Sequence, residues 1–580
     1  MEAQTKVHST SSVSTTCQNC KKDFTIEPED FNFYEKIKVP PPTFCPECRF
    51  QRRLMFRNER SLYRIKCDLC KKSILSTFSK DSSRTIYCQS CWWSDKWNPL
   101  NYGLEYNSKK PFFEQLGYLL HKIPLVALGN NYPTLVNSEY VNETGYAKNC
   151  YLIFDADYCE NVLYSSRLSL IKDSMDVLNC RESELCYESV NCRKSSRIFF
   201  SEDISDCVNV FFSKNLAGCM DCFGCVNLRN KNCHIWNKPY SREKYNKKLE
   251  ILKQEILTRE GIERLRAKTL GVWCSVPHKF MHGFQNVNVS GDYIYESRNT
   301  KNSFQVRGTE DSKFCQLIKD GGVKNAYDYT IWGNNAELVY ECMNVGMGIH
   351  NTRFCYVCAL GNTLDVEYCV WCLDVMNTFG CSGVRNKKYC ILNRQYKEEK
   401  FYSLRLQIIK DMEKNPYVDK RGRVHGYGEF FPYDLSPYRY NETDAQVYFP
   451  ISKEDAISAG WKWRNQTLPE YKTTMDGNRL PITTNEVTNE ILREIIACVS
   501  CGKAYRFTPS ELVFLRRFRL PLSDKCFECR YKRRFERLNP LKLWHRHCMK
   551  PGCLNEFETS YAPDRPEIVY CERCYNQEVY

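Results

Sequence analysis

Sixteen of the 35 cysteines fall into close pairs whose spacing repeats at the two ends of the chain. The first series is Cys17-x2-Cys20-x24-Cys45-x2-Cys48-x18-Cys67-x2-Cys70-x17-Cys88-x2-Cys91. The second is Cys498-x2-Cys501-x24-Cys526-x2-Cys529-x18-Cys548-x4-Cys553-x17-Cys571-x2-Cys574. This spacing suits tetrahedral metal ligation. A Cys-x2-Cys knuckle aims two thiolates at one ion at about 2.3 Å, and two knuckles make a closed four-sulfur site. The expected cofactor is zinc, one ion per quartet and four in all. Its role is structural, because a closed site leaves no position for water. Iron–sulfur ligation is the less suitable use of such separated pairs. The last quartet departs from the pattern, and His547 beside Cys548 is an alternative ligand there.

Other residues repeat with the cysteines at a shift of 481, among them Pro28 with Pro509, Phe33 with Phe514 and Pro40 with Pro521. Arg49, Arg52 and Arg53 answer to Arg530, Arg533 and Arg534. The double module is therefore duplicated within the chain. After Cys48 the run RFQRRLMFRNER has no glycine or proline, so the second knuckle should open a helix. On such a helix Arg49, Arg52, Arg53, Arg57 and Arg60 share an arc of about 140°, and Arg530, Arg533, Arg534 and Arg537 one of about 100°. A basic stripe beside Phe50, Phe56, Tyr63, Tyr531 and Trp544 is the pattern of a nucleic-acid grip.

Charge counting tempers that reading. Residues 17–100 and 498–580 each hold 16 Lys and Arg against 10 Asp and Glu, most of the chain's net +14. Each four-thiolate zinc site returns about two negative charges. The arginines can equally answer the thiolates, or pack their stems on the rest of the protein.

The segments CxxCxxxFxI…FY…VPxPxxCPECRxxRR and EFETSYAPDRPEIVYCERCY resemble the zinc-ribbon or treble-clef domain of uncharacterised bacterial proteins, mainly from candidate phyla. The resemblance covers 17–100 and 498–580. It implies a knuckle, a hairpin and a helix whose first turn supplies the last ligands, and it implies no activity.

Between about 130 and 395 short segments rich in Tyr, Phe, Val, Ile and Cys recur with Asn, Asp, Gly and Ser at the breaks. The expected fold is mainly β: zinc modules at both termini flanking a duplicated β-solenoid-like region with short helical caps, a β-sandwich being the alternative. Phe223-Gly-Cys-x3-Arg229 and Phe379-Gly-Cys-x3-Arg385 mark the two copies. The expected order is a disordered tail (1–16), tandem zinc modules (17–100), a helical connector (101–130), a β unit (131–239), a helix (240–270), a second β unit (271–395), a helix and irregular linker (396–490), and the second zinc pair (491–580).

Three further sets could carry chemistry. Cys219, Cys222, Cys225 and Cys233 have an iron–sulfur look, but Cys219 and Cys222 align with Val375 and Thr378 in the other copy, which favours buried small side chains. Cys274, His278 and His282 have ligand-like spacing interrupted by Pro277. Asp155, Asp157 and Glu160 form an acidic cluster that turn chemistry also explains. There is no P-loop, G-x-S-x-G, HExxH or GxGxxG opening a helix. The absence of an apolar run of about 18 residues or a leader predicts no membrane partner and, with thiols in ligand pairs, a cytoplasmic location. The functional expectation is a non-enzymatic zinc scaffold binding RNA or DNA through the arginine helices. The alternatives are a protein-binding solenoid surface and a solenoid enzyme acting on glycan or nucleic acid.

Overall fold

The computed structural model describes residues 11–358, 361–465 and 471–579, so most of the expected tail lies outside the described residues. Strand outweighs helix, and the chain divides into two compact units. The first joins residues 1–128 to 281–465, and the second joins 129–280 to 466–580. The linear order of segments thus conceals their partners: the N-terminal cysteine pairs belong with the second β copy, the C-terminal pairs with the first.

In the second unit the strands from Leu135 to Ile235 pair in parallel at one constant offset, Phe154 with Ser166, Ser166 with Leu178, Leu178 with Val190. A finer period underlies this. From Asn149 to Gly224 almost every third residue has a φ of about +43° to +65°, and the residue after each points inward. The inward series runs Cys150, Ile153, Ala156, Cys159, Val162, Ser165, Leu168 and onward to Cys225, all buried. Four such triplets fill one step of the stack. Asn and Asp recur at the left-handed positions because they tolerate that conformation best among non-glycine residues. They also form ladders: Asn149 donates to Asn161 at 3.0 Å, and Asn161 donates to Asp173 at 2.8 Å.

Cysteine and serine share one task at the inward positions. Ser165 Oγ accepts the Val177 N–H at 3.0 Å and donates to the Leu163 carbonyl at 2.7 Å. Cys207 Sγ accepts the Cys219 N–H at 3.2 Å and donates to the Ser205 carbonyl at 3.1 Å. Small side chains that fill the interior while pairing a backbone donor from the next step explain why this core is so rich in both.

The first unit repeats this plan over Gly283–Ile391, but the offset runs 11 and then 12, lengthens to 14, 13, 13 and 14, and returns to 12. In both units a helix follows the last strand: Arg242–Ile256 buries Tyr245 and Leu249, and Glu398–Lys414 buries Phe401, Ile408 and Met412. The expected helix at 240–270 is two, Arg242–Ile256 and Arg259–Cys274.

Two expectations are corrected. Val13–Thr16, assigned to the tail, is a strand paired with Asp23–Ile26. The segment expected as a linker is irregular but not peripheral, since Phe430, Phe431, Tyr433 and Tyr440 are buried in the first unit. Among the described residues no helix is long and apolar enough to cross a membrane.

Candidate metal centres

All four quartets are built the same way. A two-stranded hairpin carries the first knuckle at its tip: Val13–Thr16 with Asp23–Ile26, Tyr63–Lys66 with Ser73–Ser76, Ile496–Ala497 with Ala504–Tyr505, and Trp544–His547 with Glu556–Thr559. The second knuckle opens a helix, Cys45, Cys88 and Cys526 being the residues immediately before Pro46–Leu54, Gln89–Trp92 and Phe527–Phe535. Cys571 likewise precedes Glu572–Val579. The tip turn needs a left-handed residue, supplied by Lys21, Lys71, Gly502 and Gly552.

The four sulfurs of each quartet lie within 4.8 Å of one another. Cys20–Cys45, Cys70–Cys88 and Cys498–Cys529 are 3.8 Å apart, Cys501–Cys526 3.7 Å and Cys553–Cys571 4.0 Å. A tetrahedron with metal–sulfur bonds of about 2.3 Å has edges of about 3.8 Å, so the donor set fits a zinc-sized thiophilic ion. A backbone N–H also points at one sulfur in each: Cys45 to Cys17 and Cys88 to Cys67 at 3.2 Å, Cys526 to Cys498 and Cys571 to Cys548 at 3.3 Å. Burial raises the Cys498 thiol, but the N–H groups of Cys526, Ser500 and Cys501 prevail and bring it down to about 7. Asn19 Nδ2 donates to Cys48 Sγ at 3.3 Å and is itself held by Arg423 at 2.8 Å, a supporting contact from the segment expected as linker.

The extra residues of Cys548-x4-Cys553 are absorbed in the tip, where Cys548 N–H reaches the Asn555 carbonyl at 2.8 Å. His547 is not a ligand of this quartet; its ring is exposed and meets Glu556.

The arginine stripes are turned inward, which overturns their reading as a nucleic-acid grip. The helices end at Leu54 and Phe535, so Arg57, Arg60 and Arg537 lie beyond the stripe they were assigned to. Arg49, Arg52, Arg53 and Arg57 have at most 1% of their surface exposed, and Arg530 and Arg534 at most 3%. Arg49 meets Asp328 at 2.8 Å, Arg53 meets Asp328 at 3.2 Å and Glu341 at 3.3 Å, and Arg52 meets Glu341 at 2.6 Å and Glu429 at 2.9 Å. Arg57 pairs with Asp444 at 3.3 Å, and Arg60 is half-buried. In the second unit Arg530 meets Asp176 and Glu511 at 3.0 Å, Arg533 meets Glu188 at 2.8 Å, Arg534 meets Asp176 at 2.7 Å, and Arg537 pairs with Glu202. Burial pushes the Glu188 carboxyl up, but Arg533, Arg266, Arg534 and Arg537 hold it well below the usual range. Burial likewise works against Glu202, which Lys214 and Arg537 bring down to about 2.

Four of the five aromatic residues offered for stacking are also committed, and Trp544 is half-buried. Phe50, Phe56 and Tyr531 are buried, and Tyr63 donates to Glu442 at 2.7 Å. In the first unit Arg385 lies over the rings of Trp92, Trp93 and Trp97, at 4.9, 5.4 and 5.7 Å, clasping the second quartet to the β stack.

The remaining candidates do not assemble. Among the described residues only the four quartets bring three or more ligand atoms within 4.8 Å of one another. Cys219, Cys222 and Cys225 take successive inward triplet positions, and Cys233 is buried further on. The helix stops at Cys274, while His278 bonds the Trp273 carbonyl and His282 bonds Asp292. Asp157 accepts the Gly145 N–H, Glu160 pairs with Lys148, and Asp155 is a left-handed triplet residue. The lengthened steps of the first unit open a groove of about 550 Å³ lined by Gly321, Asn334, Asn335, Met347, Gly348, Gly361 and Asn362, a feature the sequence reading missed. Its signal was the pairing of Gly and Asn at successive insertions.

No known family model matches the chain, and no curated protein is similar to it. Among solved structures, a protein of Desulfovibrio desulfuricans G20 provisionally described as an acetyltransferase is 11% identical over 55% of this chain and 80% of its own, with a TM-score of 0.10 that carries no argument about fold or activity.

Proposed function

We propose that the protein is a non-enzymatic scaffold of two β-solenoids, each stapled by a pair of zinc sites, that presents an outer coil face to a protein partner. The metal quartets support the stapling: Cys17–Cys48 and Cys498–Cys529 fix the helices whose arginines enter the adjacent stacks. The observation that carries the binding role is an apolar ladder on the second unit. Tyr146 and Tyr158 stack with ring centroids 4.5 Å apart, and Leu170 continues their column one step on. All three are about half exposed, at 49%, 51% and 48%. Aligned apolar side chains left in solvent on a rigid surface are a mark of interaction sites.

The test is a photo-crosslinking residue placed at Tyr158 in the full chain. A discrete protein adduct, lost when Tyr146 and Leu170 become glutamate, supports the scaffold reading. A nuclease-sensitive adduct, or none, overturns it.

A further inference from the structure

Two of the nine histidines sit on the hairpin of the last quartet. His545 and His547 alternate with the half-buried Trp544 and Arg546, so both imidazoles project to the same side. Across the hairpin His547 is opposite Glu556 and His545 opposite Glu558, and all four are exposed. Glu556 lies between the rings: one carboxylate oxygen is 2.8 Å from His545 Nε2 and the other 3.2 Å from His547 Nδ1.

The duplicated module is a control for what the hairpin itself requires. The equivalent hairpin in the first unit has the same register, with Lys66 opposite Ser73 and Arg64 opposite Leu75. Four residues with no capacity to chelate a divalent ion therefore occupy the positions of His547, Glu556, His545 and Glu558. The hairpin, and the thiol site at its tip, form without imidazoles. The histidine–glutamate set is an addition in the C-terminal copy.

We infer that His545, His547 and Glu556 form a fifth metal site, separate from the thiol quartets, that takes a borderline divalent ion of the zinc or nickel class. Two imidazoles and a carboxylate are the donors such ions prefer when no thiolate competes. In the present rotamers the carboxylate occupies the space between the rings, whose centroids are 6.1 Å apart. Metal–nitrogen bonds of about 2.0–2.1 Å require them to approach by roughly 1 Å, which side-chain rotation supplies on an exposed strand. Glu558 is the cross-strand partner of His545. The remaining coordination positions face solvent, so water or a donor from another molecule completes the shell. The inference is independent of the scaffold reading, since it concerns a different face and a different ligand.

The experiment is equilibrium dialysis of untagged full-length protein against Ni(II), with zinc content measured on the same samples. The expected result is about one nickel bound per chain with the zinc complement unchanged, and paramagnetic broadening of the imidazole resonances of His545 and His547. The double variant His545→Asn, His547→Asn should lose this nickel while keeping its zinc, which also shows that it has folded. Glu556→Gln should weaken binding by at least the roughly 10–100-fold that loss of a supporting partner costs. The site is overturned if the wild type binds no nickel at micromolar concentration. It is equally overturned if the double variant binds as the wild type does, or if nickel enters only by displacing zinc from the thiol quartets, read as a zinc count falling below four.

Discussion

Arg534 and Asp176 meet at 2.7 Å with neither side chain exposed, and Arg53 and Asp328 make the same contact at 3.2 Å in the other unit. Arg53 and Arg534 are equivalent in the duplicated cysteine modules. Asp328 and Asp176 hold equivalent places in the β stacks, each followed one step on by a second acid, Glu341 and Glu188, that also receives the arginines. The duplication therefore preserved a joint as well as two parts, although the parts are joined in opposite chain order.

Breaking one side of that joint unbalances buried charge. Arg53→Ala should cost up to about 3–5 kcal/mol, Arg49 and Arg52 remaining beside Asp328 and Glu341, and adding Asp328→Asn should cost more, because it leaves the buried Arg49 without its closest carboxylate. Denaturant titration with hydrogen exchange of Pro46–Leu54 reads the loss. The same protection over Phe527–Phe535 should fall instead in Arg534→Ala.

The carboxylates of the second unit set its acid sensitivity. Glu202 is depressed to about 2 in the folded state against an ordinary value near 4.5. Its stabilisation is complete above the unfolded value and disappears as pH falls from about 4.5 through about 2. Glu202→Gln should therefore lower stability at pH 7 while flattening the pH dependence in that window, measured as the denaturation midpoint at stepped pH.

Metal removal should act as unfolding. Elemental analysis of reduced protein should give about four zincs per chain, and a strong chelator should release them with loss of helix and hairpin signal. Cys45→Ser should lower the count by about one and destabilise the first unit. A count unchanged in that variant would contradict the assigned quartet.

Interior cysteines should tolerate serine better than a larger apolar residue. Cys207→Ser retains an acceptor for the Cys219 N–H, whereas Cys207→Val leaves that buried donor unpaired at a cost of about 1–3 kcal/mol. Thermal midpoints of the two variants give the comparison.

Arg385→Ala should loosen the second quartet from the first unit's stack by about 1–2 kcal/mol, with Arg385→Lys recovering part of the loss. Indole fluorescence of the Trp92, Trp93 and Trp97 group is the readout.

Ligand spacing is a local property. Thiolates a few residues apart must share a turn, so Cys17 to Cys91 and Cys498 to Cys574 were legible as quartets, and the glycine-free run after Cys48 as a helix. The duplication was legible too, because spacing survives copying. The triplet period was also present in the sequence, as a Cys, Ser, Ala or branched aliphatic residue at every third position from Cys150 to Cys225, but a search for alternation at two or 3.6 passes over it. Tertiary structure alone decided where the arginines face. A basic stripe on a short helix looks the same whether a phosphate or a buried carboxylate awaits it, and Asp328 lies far along the chain from Arg53. Only the folding of the chain's ends onto its second and first β copies, respectively, brings those charges together, and their burial then outweighs the exposure that the sequence pattern suggested.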